Sequence, residues 1–182
     1  VPVDIAWTEY DLQNSLRMIP CRHLFYSKQK QDVIDRLKLK YPDISFYCAE
    51  ESFHNLLRTG RGRELPQPQE NFEETVKILF TSGTTSLPKA IPLTQKNLFA
   101  NWDTLFARTP MTEQDRSYLF LPLNHVYSGV ANFLYSIISG MELYLCADKK
   151  QMIPDLLQVQ PTVVCTVPVM MKWIYDALDQ EG

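Results

Sequence analysis

Small hydroxyl-bearing residues are concentrated in one short stretch of the chain, between residues 81 and 89. They are Thr81, Ser82, Thr84, Thr85 and Ser86. Gly83 gives the backbone of this stretch extra freedom, and Lys89 adds a positive charge after Pro88. Hydroxyl donors, backbone amides, small side chains and a lysine are the groups with which protein loops hold phosphates. The stretch therefore predicts either a phosphate-binding loop or an ordinary Ser/Thr turn.

This loop does not follow the common Walker pattern for nucleotide phosphates. That pattern requires G-x-x-x-x-G-K-[ST] and a helix directly after it. Here Pro88 stands where the second glycine is required, and Lys89 is followed by Ala90. The apolar segments on both sides predict strands, so we expect a strand–loop–strand arrangement of another kind.

A second stretch, LFLPLNHVYSGV (119–130), contains a histidine between a predicted strand and a predicted helix. At such a position the ring of His125 can project into a cleft. Taken alone, this histidine is explained as simply by a structural role at a helix start. The residues alone therefore leave open whether His125 is a site residue or a structural one.

The elements that carry these motifs alternate between strand and helix. Strands are predicted at 1–7, 23–27, 44–49, 75–81, 90–93, 116–123, 141–147 and 161–168, and helices at 8–19, 28–41, 51–57, 95–109, 126–140, 149–160 and 169–180. Thr8 and Thr94 are predicted helix N-caps, and Gly140 a left-handed C-cap. Near-continuous apolar strands alternating with helices predict an α/β fold with a mainly parallel sheet and helices on both faces.

The composition bounds the class of protein. Hydrophobic residues make up 45% of the 182 residues, charged residues 21%, and the net charge is −3. These values predict one globular (sub)domain over 1–182 and argue against a nucleic-acid partner. The polar residues at about 58–75, rich in Gly, Pro, Gln and Glu, predict a flexible surface loop within this α/β (sub)domain. The longest apolar stretch is too interrupted to predict a membrane span. The four cysteines are isolated in the sequence and give no zinc pattern, so we predict that the chain's own residues form no metal site. We also predict that the cysteines are reduced thiols and that the protein is cytoplasmic.

Together the motifs resemble the adenylate-forming superfamily of acyl-CoA synthetases, peptide-synthetase adenylation domains and luciferases. The stretch ILFTSGTTSLPKAIPLT (78–94) is similar to the signature [YF]-T-S-G-[TS]-T-G-x-P-K-G-V. LPLNHVY (121–127) is similar to L-P-L-x-H-[VIA]-[YF], and QPTVVCTVP (160–168) to a segment of long-chain acyl-CoA synthetases. The resemblance implies that the chain is part of the large N-terminal domain of such an enzyme.

The resemblance also implies a reaction and a set of site residues. A carboxylic acid, here a fatty acid, would react with ATP and Mg²⁺ to give acyl-AMP, and then with coenzyme A to give a thioester. The implied ATP-phosphate residues are Thr81, Ser82, Gly83, Thr84, Thr85, Ser86 and Lys89. Lys89 would also serve catalysis, and His125 would lie where the acyl pocket meets the adenylate.

Three positions depart from the family pattern. Ser86 and Ala90 stand where glycines are usual, and Gln95 where a histidine is common. A side chain at a position that needs φ > 0 costs on the order of 1 kcal/mol. Ser86 and Ala90 favour an alternative, a non-catalytic nucleotide-binding or interaction module with a decayed loop.

A further alternative is an adenylating domain that activates an amino acid or loads a carrier protein. Amino-acid enzymes of the family usually carry an aspartate in the second motif, and LNHVYSG (123–129) has none. This favours a simple carboxylic acid. The family's Y-G-x-T-E and T-G-D motifs and its C-terminal catalytic lysine are not found in these 182 residues. We therefore expect an N-terminal fragment of a longer enzyme that is not catalytically competent by itself.

Overall fold

The computed structural model describes residues 1–65, 67, 71–81 and 88–179, with Leu178 described by its backbone alone. Its strands are β1 (His23–Tyr26), β2 (Ser45–Cys48), β3 (Thr75–Thr81), β4 (Lys89–Thr94), β5 (Arg116–Leu119) and β6 (Glu142–Leu145). Its α-helices are α1 (Glu9–Met18), α2 (Gln31–Lys40), α3 (Ala49–Gly60), α4 (Gln95–Arg108), α5 (Tyr135–Ile138), α6 (Met152–Val159) and α7 (Pro168–Asp179). Short 3₁₀ helices cover Lys28–Lys30 and Lys149–Gln151. The alternation of strand and helix confirms the predicted α/β class.

The described strands pair into three two-stranded sheets. β1 pairs with β2, β3 with β4, and β5 with β6. The first and last pairs are parallel, with His23 opposite Ser45 and Arg116 opposite Glu142. The helices connecting the members of these two pairs return the chain to the same end of each sheet, as parallel pairing requires.

The chain divides into two compact units. We call Val3–Asn71 with Phe80–Ile91 the N-terminal unit, and Phe72–Leu79 with Pro92–Gly182 the C-terminal unit, which also includes the first two residues. β3 and β4 pass from one unit into the other.

The core of the N-terminal unit lies between its first two helices and the β1–β2 sheet. Ile34 and Leu37, three residues apart on α2, are almost completely buried together with Leu12 of α1. Burying side chains of this kind contributes about 1.5–3 kcal/mol each. At the surface of the same helices, Glu9 forms ion pairs with Arg36 at 2.6 Å and Lys40 at 2.8 Å.

The core of the C-terminal unit is built on β5. Tyr118 and Phe120 pack against Met152 of α6, and Tyr118 donates a 2.8 Å hydrogen bond to Asp155. The hydrogen bond satisfies the phenol, which would otherwise be a buried polar group without a partner.

The predicted helix boundaries are confirmed where a local cap defines them. Thr8 and Asp11 form a reciprocal capping box at the start of α1, and Thr94 and Asn97 form one at the start of α4. Each box satisfies two backbone donors that the helix itself leaves free. Gly140 has φ +69°, the predicted left-handed conformation.

Two predicted strands are wrong. Residues 1–7 form a turn instead, because the Asp4 carboxylate accepts from the Ala6 amide and the Asp4 carbonyl from the Trp7 amide. Residues 161–168 contribute only a single parallel bridge, between Val163 and Ser117. α3 runs to Gly60 and so extends past the predicted start of the 58–75 loop, whereas β3 begins at Thr75, as predicted.

The predicted helix at 126–140 has an unexpected form. Its first part, Tyr127–Leu134, is π-helical, and α5 continues it. Ser128, Asn132 and Ser136 are almost completely buried along this segment, and the Asn132 amide oxygen accepts a 2.8 Å hydrogen bond from Ser117. Within the part of the chain that the structure describes, no helix is long and apolar enough to cross a bilayer.

Candidate functional site

Two neighbouring strands frame the predicted phosphate loop. β3 ends at Thr81 and β4 begins at Lys89, and the two strands are hydrogen-bonded to each other. The predicted strand–loop–strand order is therefore what the chain adopts around the loop. Of the predicted loop residues, Ser82, Gly83, Thr84, Thr85 and Ser86 lie outside the described residues.

The two described ends of the loop expose the groups that phosphate binding would need. The side chains of Thr81 and Lys89 are both exposed. Among the described residues, neither the Thr81 hydroxyl nor the Lys89 ammonium has a hydrogen-bond or ion-pair partner. One donor and one positive charge are thus available to an anionic ligand such as the phosphates of ATP.

Ala90 causes no backbone strain at its position. It lies within β4, and Gln160 is the one non-glycine residue of the described chain with positive φ. The glycine usual at this position of the family is therefore not required here for a left-handed conformation. The corresponding question for Ser86 lies outside the described residues.

His125 lies in a tight turn between β5 and the π-helical segment, in the C-terminal unit, whereas Thr81 and Lys89 belong to the N-terminal unit. Its side chain is exposed. Its backbone N–H donates to the Pro122 carbonyl at 3.3 Å, and its carbonyl accepts from the Gly129 N–H at 3.0 Å. The predicted setting, after a strand and at the start of a helix, is confirmed.

Sequence reasoning missed Lys77, a lysine inside the apolar β3. Its ammonium lies against Gly129, where an added Cβ would come within 2.6 Å of the Lys77 Nζ. Partial burial lowers the pKa of Lys77 below the usual lysine value. The signal was available in the sequence, because a lysine interrupts an otherwise hydrophobic strand.

The π-helical segment also meets the segment that precedes α7. The Cys165 thiol lies 3.8 Å from the carbonyl oxygen of Ala131, and burial raises its pKa. Burial and the neighbouring Cys165 raise the pKa of Tyr127. Both groups stay protonated and neutral near pH 7, so this side of the helix is a largely apolar surface with weak donors.

An apolar cleft lies between the same helix and α4. Leu98, Trp102 and Leu105 line one side, and Val130, Leu134 and Ile138 line the other. The cleft is small, with a cavity volume of about 20 Å³, which is room for little more than one water molecule. Among the described residues, no three His, Cys, Asp or Glu side chains come together as ligands for a metal ion.

Comparison with known proteins shows the family. The profile of the AMP-binding enzyme family matches residues 1–182. The chain therefore belongs to the AMP-binding enzymes, the adenylate-forming family that its loop and histidine motifs resemble.

The curated relatives include acyl-CoA and other CoA ligases. Long chain acyl-CoA synthetase 7, peroxisomal, of Arabidopsis thaliana is 31% identical over 128 residues, which are 70% of this chain and 18% of that protein. Oxalate–CoA ligase of Arabidopsis thaliana is 36% identical over 103 residues, 54% of this chain and 20% of that protein. The chain thus spans about a fifth of the length of these relatives.

The fold is shared with solved members of the family. The crystal structure of ATP-bound MatB from Rhodopseudomonas palustris matches with a TM-score of 0.79 at 19% identity, covering 96% of this chain and 35% of MatB. The match confirms the fold predicted from the resemblance, that of part of a larger adenylate-forming domain.

Proposed function

We propose that this chain belongs to an enzyme that activates a carboxylic acid with ATP and transfers the acyl group to coenzyme A. The observation that carries the proposal is the loop between β3 and β4, whose sequence matches the family signature and whose described ends expose Thr81 and Lys89. The relatives named as CoA ligases support the same reaction type.

In the first step the acid carboxylate attacks the α-phosphate of ATP, and pyrophosphate leaves. Charge develops on phosphate oxygens in this step, so donors held in place before the reaction lower its barrier. We propose that the Thr81 hydroxyl and its loop neighbours donate to the leaving pyrophosphate. The Lys89 ammonium would add positive charge at the same group. Mg²⁺, when bound with ATP, would neutralise part of the phosphate charge.

The acid would be bound near the helix that follows His125. The exposed imidazole of His125 would shape the carboxylate end of the acyl pocket rather than act as a strong acid or base. The π-helical segment and α5 would line an acyl channel with their apolar side chains, a proposal supported by the small apolar cleft that this helix borders against α4. A fatty acid is the substrate class that we propose.

The direct test is acid-dependent ATP–pyrophosphate exchange by the full-length protein that contains this chain. The panel should hold long-chain fatty, aryl and amino acids, together with oxalate because of the oxalate–CoA ligase relative. We expect exchange with fatty acids above that with the other classes. Preference for an amino acid would instead favour the alternative of an adenylating domain that loads a carrier protein.

A second candidate is a non-catalytic nucleotide-binding or interaction module. Ser86, where the family usually has glycine, is the observation that favours it. If the full-length protein shows no exchange with any acid, whether or not it binds ATP, the result would support this candidate. Ala90 gives it less support, since Ala90 has ordinary strand geometry.

A further inference from the structure

The orientation of His125 depends on its backbone turn. Among the described residues, no side chain forms a hydrogen bond with its imidazole ring. The path of residues 122–125 therefore sets the position and direction of the His125 Cα–Cβ bond, from which the exposed ring projects.

A buried serine ties this turn together. Ser128 is 1% exposed, and its hydroxyl donates to the Pro122 carbonyl and lies 3.3 Å from the His125 carbonyl. The Pro122 carbonyl also accepts from the His125 N–H. One hydroxyl of the helix thus contacts both ends of the turn.

The next residue allows the turn to lie close to the helix. A Cβ added to Gly129 would be 2.8 Å from the Leu123 carbonyl oxygen, closer than side-chain carbons are found to approach. Gly129 is not among the described glycines with positive φ, so close approach and not backbone conformation requires it. The second close atom, the Lys77 Nζ at 2.6 Å, ends a flexible chain that can move away. The backbone contact is therefore the one that cannot be relieved without moving the turn.

We propose that Ser128 and Gly129 are positioning residues that set the place and direction from which the His125 side chain leaves the turn. The geometry supports this positioning by itself, and only its consequence for acyl activation rests on the proposed function. If His125 shapes the acyl pocket, a shift of about 1 Å in the turn lowers turnover on the order of a hundredfold, since catalysis is sensitive to displacements of this size.

The test is histidine-ring NMR on the 182-residue chain, which contains His23, His54 and His125. The first two lie in the N-terminal unit and serve as internal references. The variants are Ser128→Ala and Gly129→Ala, each checked for cooperative thermal unfolding. Matched controls are Ser136→Ala, a fully buried serine of the same helix that contacts Asn132, and Gly60→Ala, where an added Cβ has nothing within 4 Å.

We expect both variants to shift the ring signals of His125 and to leave those of His23 and His54 in place, while both controls leave all three unchanged. Unchanged His125 signals in the two variants, or equal shifts in Ser136→Ala, would overturn the proposal. If Gly129→Ala does not fold, Ser128→Ala decides alone.

A double variant separates the two close contacts of Gly129. Gly129→Ala with Lys77→Ala removes the flexible contact and keeps the one with the Leu123 carbonyl. We expect the His125 signals to remain shifted, and a return to the wild-type position would refute the assignment to the turn.

Kinetics of the full-length enzyme separate this proposal from the proposed function. Ring shifts together with a lower turnover and an unchanged KM for ATP are expected. Ring shifts without any kinetic change would support the positioning and count against a role of His125 in the reaction.

Discussion

The structure describes the residues at the two ends of the loop but not Ser82 to Ser86 inside it. Thr81 and Lys89 are exposed at the ends of β3 and β4, and Ala90 lies in ordinary strand geometry. The position of Ala90 thus removes backbone strain at this residue as a reason for regarding the loop as decayed. Ser86 lies outside the described residues, so the same reason stays open there.

Inside the loop, the resemblance assigns Thr84 to phosphate binding. Thr84→Val keeps the shape of the side chain and removes its hydroxyl. Because hydrogen bonds to charged groups contribute about 1.5–3 kcal/mol, we expect ATP–pyrophosphate exchange by the full-length protein to fall about tenfold or more. The matched control is Thr104→Val, which removes a hydroxyl that donates to the Ala100 carbonyl at 2.9 Å on α4. Equal rates in the two variants would contradict the assignment.

Another residue-scale prediction concerns pH and the N-terminal unit. Hydrogen bonds from Lys40 and Arg36 lower the pKa of Glu9 from 4.5 to about 2. A carboxyl with a depressed pKa contributes stability that is present above pH 4.5 and is lost as the pH falls toward 2. Glu9→Gln should therefore lower the melting temperature slightly at pH 7, and the difference from wild type should shrink between pH 4.5 and pH 2.

Circular dichroism melts over this pH range provide the measurement. Glu64→Gln is the control, since Glu64 is exposed and has no ion pair among the described residues. A difference between Glu9→Gln and wild type that is independent of pH would refute the electrostatic explanation.

At the scale of elements, features that depend on residues close in the sequence were predicted more accurately than strands, which depend on pairing with a distant segment. The caps at Thr8 and Thr94 and the turn at Gly140 are set by neighbouring residues, so the sequence shows them directly. Helical periodicity likewise located most of the helices to within a few residues.

The wrong strands show what local signals lack. Apolar residues at 161–168 suggest a strand, yet a strand forms only with a partner, and Val163 finds one partner residue, Ser117. Pro161 and Pro168 also remove backbone donors at both ends of the segment. The sequence likewise did not predict the π-helical form of 127–134. The buried partner of Asn132 is Ser117, fifteen residues away, and that of Ser128 is the Pro122 carbonyl in the preceding turn.

The capping box of α4 gives an element-scale prediction. Thr94 accepts from the Asn97 amide at 3.2 Å and leads directly from β4 into the helix. Thr94→Ala should lower the free energy of unfolding by about 1 kcal/mol in urea titrations, whereas Thr94→Ser, which keeps the hydroxyl, should remain near wild type. Equal losses in both variants would assign the effect to the methyl group rather than to the cap.

At the scale of the whole molecule, the fraction of its relatives' length that this chain covers decides which functions it can perform alone. It covers 18% of the Arabidopsis synthetase and 35% of MatB. The family membership and the fold are therefore those of the chain, while acyl activation is a proposal for the full-length protein.

The 182-residue chain should accordingly bind ATP only weakly. Its candidate phosphate contacts come from one loop, and a few contacts offset little of the entropy that a ligand loses on binding. We expect isothermal titration to show a dissociation constant in the millimolar range or above. A micromolar constant would mean that the chain contains most of the nucleotide site by itself.

The central claim, that the β3–β4 loop grips the pyrophosphate of ATP, is tested most directly through Lys89. ATP–pyrophosphate exchange of the full-length protein should be compared between Lys89→Ala and Lys96→Ala, the latter removing an exposed lysine that pairs with Glu73 at 2.8 Å. Because the ammonium of Lys89 would act where charge develops, its removal should lower the exchange rate on the order of a hundredfold, with Lys96→Ala close to wild type. Equal exchange rates in Lys89→Ala and Lys96→Ala would contradict the claim.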